Sequence, residues 1–538
     1  MICLIIISLI AKIVYLDLVQ QAFLRTAGNS RSFRVIDIPA FRGIIFDRNG
    51  HPLAVSVAVY SIWVNPQHFS PGANAWQALS QLLGLKLQRM QQHVLRYKQQ
   101  GREFCYLRRG LDAKTVTAIK KLNIAGLYWQ SEQKRYYPEA EVTSQLLGFA
   151  NVDDHGQEGV ELWFDKWLQG TPGKKMVVRD RLGNVIADVR DVKVPHPGNH
   201  LVLSIDTRMQ YVAYRELERG VSINQAVSGT AIVLNVLTGE ILAITNYPAF
   251  DPNHRNAATK NLRNNAVTDL FEPGSTIKAF SLATALASKK FTPHSLIDTS
   301  PGWLRVGQNV VKDAKNYGTL TLTQILQVSS NVGTAKAILS LPAQSLWSLL
   351  QNVGFGEATG IEFPGEKLGL LNQSAQNSPF MLATLSFGYG MAATALQLAR
   401  AYAVFANDGV KLPLTLLRRY QPPPGERVMP SLLAQQMLVL LESVVNKGGT
   451  GQLARVAGYR VAGKTGTVRV VGAHGYDRKR HDSIFIGIAP VSKPLLLSLV
   501  VIHDSKLSNA SGGSIAAPVF SAIMSAALSI MNIAPDLD

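Results

Sequence analysis

The chain has 538 residues, 47% of them hydrophobic, and its 54 Lys and Arg against 36 Asp and Glu leave a net charge of +18. That length accommodates two or three domains with ample core, and two cysteines, Cys3 and Cys105, exclude a disulfide framework and a cysteine-based metal site. The positive charge is spread along the chain with no nucleic-acid motif, so it suits an anionic lipid surface or a generically basic exterior, not a nucleic acid.

In chain order, the stretch from Met1 to Leu18 is apolar except for Ser8, Lys12 and Asp17 and is followed by Gln20-Gln21. No small-x-small cleavage site follows, so residues 1–20 are expected to form an uncleaved membrane anchor. Arg25, Arg31 and Arg34 lie on the far side of it, and by the positive-inside rule these residues alone oppose an exported C-terminal part. Residues 34–200 show short β-like runs such as Ser61-Ile62-Trp63-Val64, helical stretches over 75–83 and 113–122, and the Gly/Pro-rich Leu168-Gln169-Gly170-Thr171-Pro172-Gly173, but no catalytic constellation. Ser131-Glu132-Gln133-Lys134 has a Ser-x-x-Lys spacing without a helix to carry it. His155, Glu158 and Glu161 read as a solvated loop and helix face, not a metal site. Val194-Pro195-His196-Pro197-Gly198-Asn199 reads as a linker.

Past that point, Gly229–Val236 and Ile241–Ile244 flank Leu237-Thr238-Gly239-Glu240, a β-hairpin pattern. Ser275-Thr276-Ile277-Lys278 follows Glu272-Pro273-Gly274 and opens an apolar run. On a helix this spacing puts the Lys278 amine within reach of the Ser275 hydroxyl, and apolar surroundings favour a neutral lysine that can take the serine's proton. Ser329-Ser330-Asn331 reads as the join between two helical segments, where Ser329 and Asn331 can relay a proton and orient an amide. Ser222-Ile223-Asn224 repeats that triplet with no assignable role. Helices are expected over 393–406 and 431–445. Lys464-Thr465-Gly466-Thr467 lies in a β-like stretch, where a strand edge offers N–H and C=O groups to an extended peptide and Gly466 admits close approach to the backbone. Arg478-Lys479-Arg480-His481 reads as a basic turn before strands at 483–488 and 495–502. Early and late strands closing one sheet with helices inserted predict an α+β fold with an antiparallel sheet flanked by helices.

Ser-x-x-Lys, Ser-x-Asn and Lys-Thr-Gly in this order resemble the penicillin-binding protein and serine β-lactamase superfamily. Arg42-Gly43 with Asp47-Arg48-Asn49-Gly50, Val267 to Gly274, Ser386-Phe387-Gly388-Tyr389-Gly390 and Ala516-Ala517-Pro518-Val519-Phe520 extend the resemblance to the septal class B penicillin-binding proteins of the penicillin-binding protein 3 type. It implies an anchor over 1–20, an α+β dimerisation-type pedestal over 34–200 and a transpeptidase domain over 225–532. It further implies a serine D,D-transpeptidase that cross-links peptidoglycan stem peptides at the division septum and is inhibited by β-lactams. Ser275 would be the acylated nucleophile, Lys278 its base, Ser329 and Asn331 aids to proton transfer and orientation. Lys464, Thr465 and Thr467 would bind the substrate carboxylate, with Gly466 between them, and the N–H groups of Ser275 and Thr467 would form an oxyanion hole. No cofactor or metal is implied. The expected partners are the lipid-linked precursor, the membrane, a glycosyltransferase and other division proteins, with the enzyme domain on the periplasmic side of the inner membrane. Members usually carry a basic tail before the anchor, whereas this chain begins within the apolar segment; an earlier start would reconcile the two. A β-lactamase, a membrane-bound β-lactam sensor and a division scaffold with dispensable catalysis are the alternatives. The first is generally much shorter, and the second usually has more spans.

Overall fold

The computed structural model describes residues 2–24, 26, 33–179, 185–255, 260–472, 475–507 and 511–537. Of the arginines after the apolar stretch, Arg25 and Arg31 lie outside these. The chain forms two compact units that interleave in sequence: Met1–Ile44, Val55–Tyr136 and Lys166–His200 make one, and Ile45–Ala54, Tyr137–Asp165 and Leu201–Asp538 the other.

In the first unit, the apolar N-terminal stretch is a helix, Ile2–Val14, followed by a π turn, Tyr15–Val19. Phe33–Ile38, Gly173–Arg179 and Val185–Lys193 form a three-stranded antiparallel sheet. Residues 55–64 pair antiparallel with both Cys105–Leu111 and Leu127–Tyr136. The helices Ala73–Leu83, Leu87–Gln99 and Ala113–Lys120 cover this second sheet, burying Leu79, Leu83, Met90, Val94, Val116 and Ile119 against Ile62, Val64 and Cys105. Asp112 caps the third helix by accepting from Thr115 N at 2.7 Å, the usual remedy for orphan N–H groups at a helix start. The Ser131–Lys134 spacing falls in the strand Leu127–Tyr136 and carries no site. The 194–199 stretch leads up to the division between the units at His200 and Leu201 and is bonded on the way: Thr171 and His196 form a bridge, Gly198 N donates to Phe41 O at 2.8 Å and Asn199 N to Trp167 O at 3.1 Å. Its prolines interrupt regular structure without releasing the remaining backbone groups from pairing.

The second unit is built on a five-stranded antiparallel sheet. Among its elements, in chain order, are α1 (Thr207–Ile223), β1 (Ser228–Asn235), β2 (Ile241–Tyr247), α2 (Lys278–Ala287), α3 (Leu322–Gln327), α4 (Asn331–Leu339), α5 (Ala395–Ala406), α6 (Ser431–Val445), β3 (Ala462–Gly472), β4 (Gly475–Ala489), β5 (Leu496–Ser505) and α7 (Ala517–Ile530). The spatial order β2-β1-β5-β4-β3 joins the early hairpin to the late strands and leaves β3 at an edge. Ala231, Val233, Phe485 and Val500 face α1 and α7, whose Leu217, Phe520 and Ile523 complete one core. The alternate residues Ile232, Leu234, Ile484 and Leu499 are equally buried, which is why these strands read as continuous apolar runs.

Three sequence expectations change here. Arg480 and His481 lie within β4, not in a turn, and Arg480 is ion-paired with Asp504 on β5 at 2.5 Å; the side chains of Arg478 and Lys479 lie outside the described residues. Glu161 is fully buried instead of lining a solvated helix face, and His155 pairs with Asp165 at 3.7 Å. Among the described residues no His/Cys/Asp/Glu cluster could hold a metal. Positive charge is also not evenly spread: residues 55–136 carry twelve Lys and Arg against three Asp and Glu, half of the chain's +18.

Candidate active site

Ser275 sits in a 3-10 turn, Gly274–Ile277, immediately before α2, not in the helix itself. Two elements hold that turn. Tyr402 on α5, fully buried, donates its hydroxyl to the Thr276 carbonyl at 2.5 Å, and Thr276 Oγ1 donates to Pro273 O at 2.7 Å. From the other side β3 closes on it at Gly466, where an added Cβ would lie 3.1 Å from Thr276 Cγ2 and 3.2 Å from Pro273 O. Gly466 thus serves close approach between strand and turn. As the second residue of the turn, Ser275 has no intrahelical acceptor for its N–H, which leaves that donor available to an anion.

Ser329, between α3 and α4, is the meeting point of the site. Its backbone is left-handed, φ 60°, a conformation uncommon outside glycine. Lys278 Nζ donates to the Ser329 carbonyl at 2.6 Å and to Ser329 Oγ at 3.0 Å, and Lys464 Nζ donates to the same Oγ at 3.0 Å. Both lysine side chains are fully buried. Among the described residues Ser275 Oγ forms no hydrogen bond, so Lys278 engages Ser329 instead of the serine one turn before it. Ser329 Oγ is therefore placed to pass a proton between the two amines.

Burial disfavours the ammonium form. It pushes Lys464 down to about 7. Lys278 is held well below the ordinary lysine value, first by burial and then by the Lys464 charge, with the Asp313 carboxylate opposing both. A buried lysine that is neutral near neutral pH can act as a base.

Asp313 is the part of the site that sequence reasoning missed. One of its carboxylate oxygens accepts from Ser330 Oγ at 2.6 Å and the other from Asn331 N at 2.5 Å and Val332 N at 3.0 Å, which caps α4 and fixes the Ser329-Ser330-Asn331 corner. Asn331 Nδ2 donates to Lys312 O at 2.9 Å. No local pattern marks Asp313, because its contact depends on the hairpin Trp303–Val306 with Asn309–Lys312 folding back onto α4. On β3, Thr465 Oγ1 lies 2.7 Å from Thr450 Oγ1 and is buried, while Thr467 Oγ1 is half-buried and accepts from Gly512 N at 3.0 Å. The edge strand thus leaves Thr467, not Thr465, as its more open hydroxyl.

The site thus joins two buried lysines through the Ser329 hydroxyl, beside Ser275 in the turn that opens α2. Residues 229–525 match the penicillin binding protein transpeptidase domain, and residues 37–203 the penicillin-binding protein dimerisation domain. The peptidoglycan D,D-transpeptidase FtsI of Escherichia coli (strain K12) is 41% identical over 98% of this chain and 90% of its own length. The probable peptidoglycan D,D-transpeptidase PbpC of Pseudomonas aeruginosa is 39% identical over 98% of this chain and 93% of its own. Among solved structures, the transpeptidase domain of Burkholderia pseudomallei penicillin-binding protein 3 shares 36% identity at a TM-score of 0.58, covering 62% of this chain and 98% of that one. A peptidoglycan synthetase from Bifidobacterium adolescentis shares 26% identity at a TM-score of 0.72 over 94% of this chain and 98% of that one.

Proposed function

The chain belongs to the septal class B penicillin-binding proteins, the FtsI or penicillin-binding protein 3 type of peptidoglycan D,D-transpeptidase, and from that footing we propose that it acts by acyl transfer through Ser275. Ser275 Oγ attacks the D-alanyl-D-alanine amide of a stem peptide. Lys278 takes the hydroxyl proton, and Ser329 Oγ, bonded to both lysines, carries a proton toward the departing D-alanine amine. The N–H groups of Ser275 and Thr467 stabilise the tetrahedral oxyanion, where one aimed donor contributes about 3 kcal/mol. Lys464 and Thr467 receive the terminal carboxylate, with Thr465 supporting Lys464 from below. Asn331 orients the stem-peptide amide. An amine of a neighbouring stem then resolves the ester into a cross-link, and β-lactams acylate the same serine.

The shared bonding of Lys278 and Lys464 to Ser329 Oγ is the observation that carries this reading. The enzyme is placed at the septum, on the periplasmic face of the inner membrane, held by its N-terminal apolar segment and supplied with glycan strands by a partner glycosyltransferase. Intact-protein mass after incubation with a penicillin tests the nucleophile. A stable single adduct on the wild type and none on Ser275→Ala is expected. An adduct on Ser275→Ala would move the nucleophile elsewhere, and one lost within seconds would make the protein a hydrolase.

A further inference from the structure

The lobe formed by residues 55–136 holds half the net charge of the chain, and its charge is not balanced locally. The helix Leu87–Gln99 contains Arg89, Arg96 and Lys98 and no acidic residue. Lys86, Arg89 and His93 line a pocket of about 420 Å³ whose floor is Leu85, Met90 and Leu107. Among the described residues Lys86 and Arg89, both exposed, form no ion pair and no side-chain hydrogen bond. Arg108 is occupied on the pocket's near side, donating to Leu83 O at 2.7 Å.

We infer that this pocket docks an acidic peptide segment of another protein through one large apolar side chain, with flanking carboxylates on Lys86 and Arg89. Charge complementarity sets the sign of the partner, and the pocket sets its shape. A concave site of this size with an apolar floor accepts one or two side chains. Desolvating the apolar anchor supplies affinity, while the cations supply orientation and a fast encounter. A bilayer surface would neutralise Lys86 and Arg89 but leave the concavity between them and Leu85 unfilled. The inference is independent of the acyl-transfer chemistry.

Panning the full-length, detergent-solubilised chain against a random twelve-residue peptide library tests it. Enriched peptides are expected to be net negative and to carry a Leu, Phe or Met. Replacing that residue by Ala in the synthetic, fluorescein-labelled peptide should weaken binding at least tenfold. Lys86→Glu with Arg89→Glu should weaken it at least tenfold, while Lys120→Glu with Lys121→Glu on the separate helix Ala113–Lys120 and its flank should leave it within twofold. Penicillin acylation of Ser275 in each variant confirms that the chain is folded. Enrichment without acidic bias, equal loss in both double variants, or no loss when the anchor becomes Ala would overturn the proposal. So would binding to phosphatidylglycerol vesicles that competes fully with the peptide.

Discussion

Ser329 Oγ lies between two buried amines, so Lys278 and Lys464 cannot both carry full charge at low cost. Deprotonation of Lys278 should produce the rising limb of the penicillin-acylation pH profile. Loss of charge on Lys464, whose value is near 7, should produce the falling one. Asp313 alone among the named influences raises the Lys278 value. Asp313→Asn should therefore shift the rising limb to lower pH besides slowing acylation about 10- to 100-fold through loss of the Ser329 corner. A slowed variant with an unmoved limb would show that Asp313 acts only on geometry. Lys464 also bears on stability. Its folded value of about 7 lies below the ordinary 10.5, so the unfolded chain binds more protons between these values. Its burial penalty is complete below pH 7 and is relieved as pH rises toward 10.5. Lys464→Met should abolish acylation yet stabilise the catalytic unit by on the order of 1–4 kcal/mol at pH 7, with the gain shrinking toward pH 10. Calorimetric scans at several pH values read this directly, and a gain that does not vary with pH would reject the assignment. Lys278, Ser329 and Lys464, which the structure brings together, could be picked out because their motifs are local. Asp313, Thr450 and Tyr402 were not, because each reaches the site through tertiary contacts.

At the scale of elements, the turn carrying Ser275 is clamped between α5 and β3, and the clamp depends on an absent side chain. Gly466→Ala would place its Cβ 3.1 Å from Thr276 Cγ2 and 3.2 Å from Ile484 Cβ. Neither neighbour can yield easily, since Thr276 and Ile484 are fully buried. The strand must then retreat from the turn, at a cost of about 1–3 kcal/mol. Acylation should fall about 10- to 100-fold while far-ultraviolet circular dichroism stays that of the wild type. Wild-type acylation in this variant would mean the turn tolerates displacement. The hairpin of β1 and β2, the late strands β4 and β5, and α6 with its bounds Ser431–Val445 were readable from periodicity and turn residues. The basic run at 478–481 was misread because charge suggested a turn, whereas Asp504 on the neighbouring strand supplies Arg480 with a partner and lets the strand continue. The 194–199 stretch, read as a linker from its prolines and glycine, ends just before the division between the units at His200 and Leu201, while its backbone is bonded within the first unit.

For the whole molecule, the open choice is which helix meets the membrane. Among the described residues only Gly512–Ile530 is long and apolar enough by composition to cross one, yet half of its apolar window is buried inside the protein. Phe520, Ile523, Met524 and Leu528 pack with Phe485 and Leu217 in the core of the catalytic unit. Withdrawing them into lipid would uncover the sheet they close, and lipid offers those side chains no more than the core already does. Ile2–Val14, in contrast, is apolar and exposed at residues 5–14. With the following turn it makes a segment about 27 Å long, close to the thickness of a hydrocarbon core. Deleting residues 1–24 should release the protein from membranes while preserving penicillin acylation. Phe520→Ala should leave membrane partition unchanged and destabilise the catalytic unit by about 3–5 kcal/mol. If the deletion variant stays with the membrane after a high-salt wash while Phe520→Ala is released, the assignment of the two helices is reversed. Ile2–Val14 is the more apolar of the two helices and falls short only in its own length, which the following turn makes up, so composition and exposure both favour it over a helix whose apolar side already closes a core.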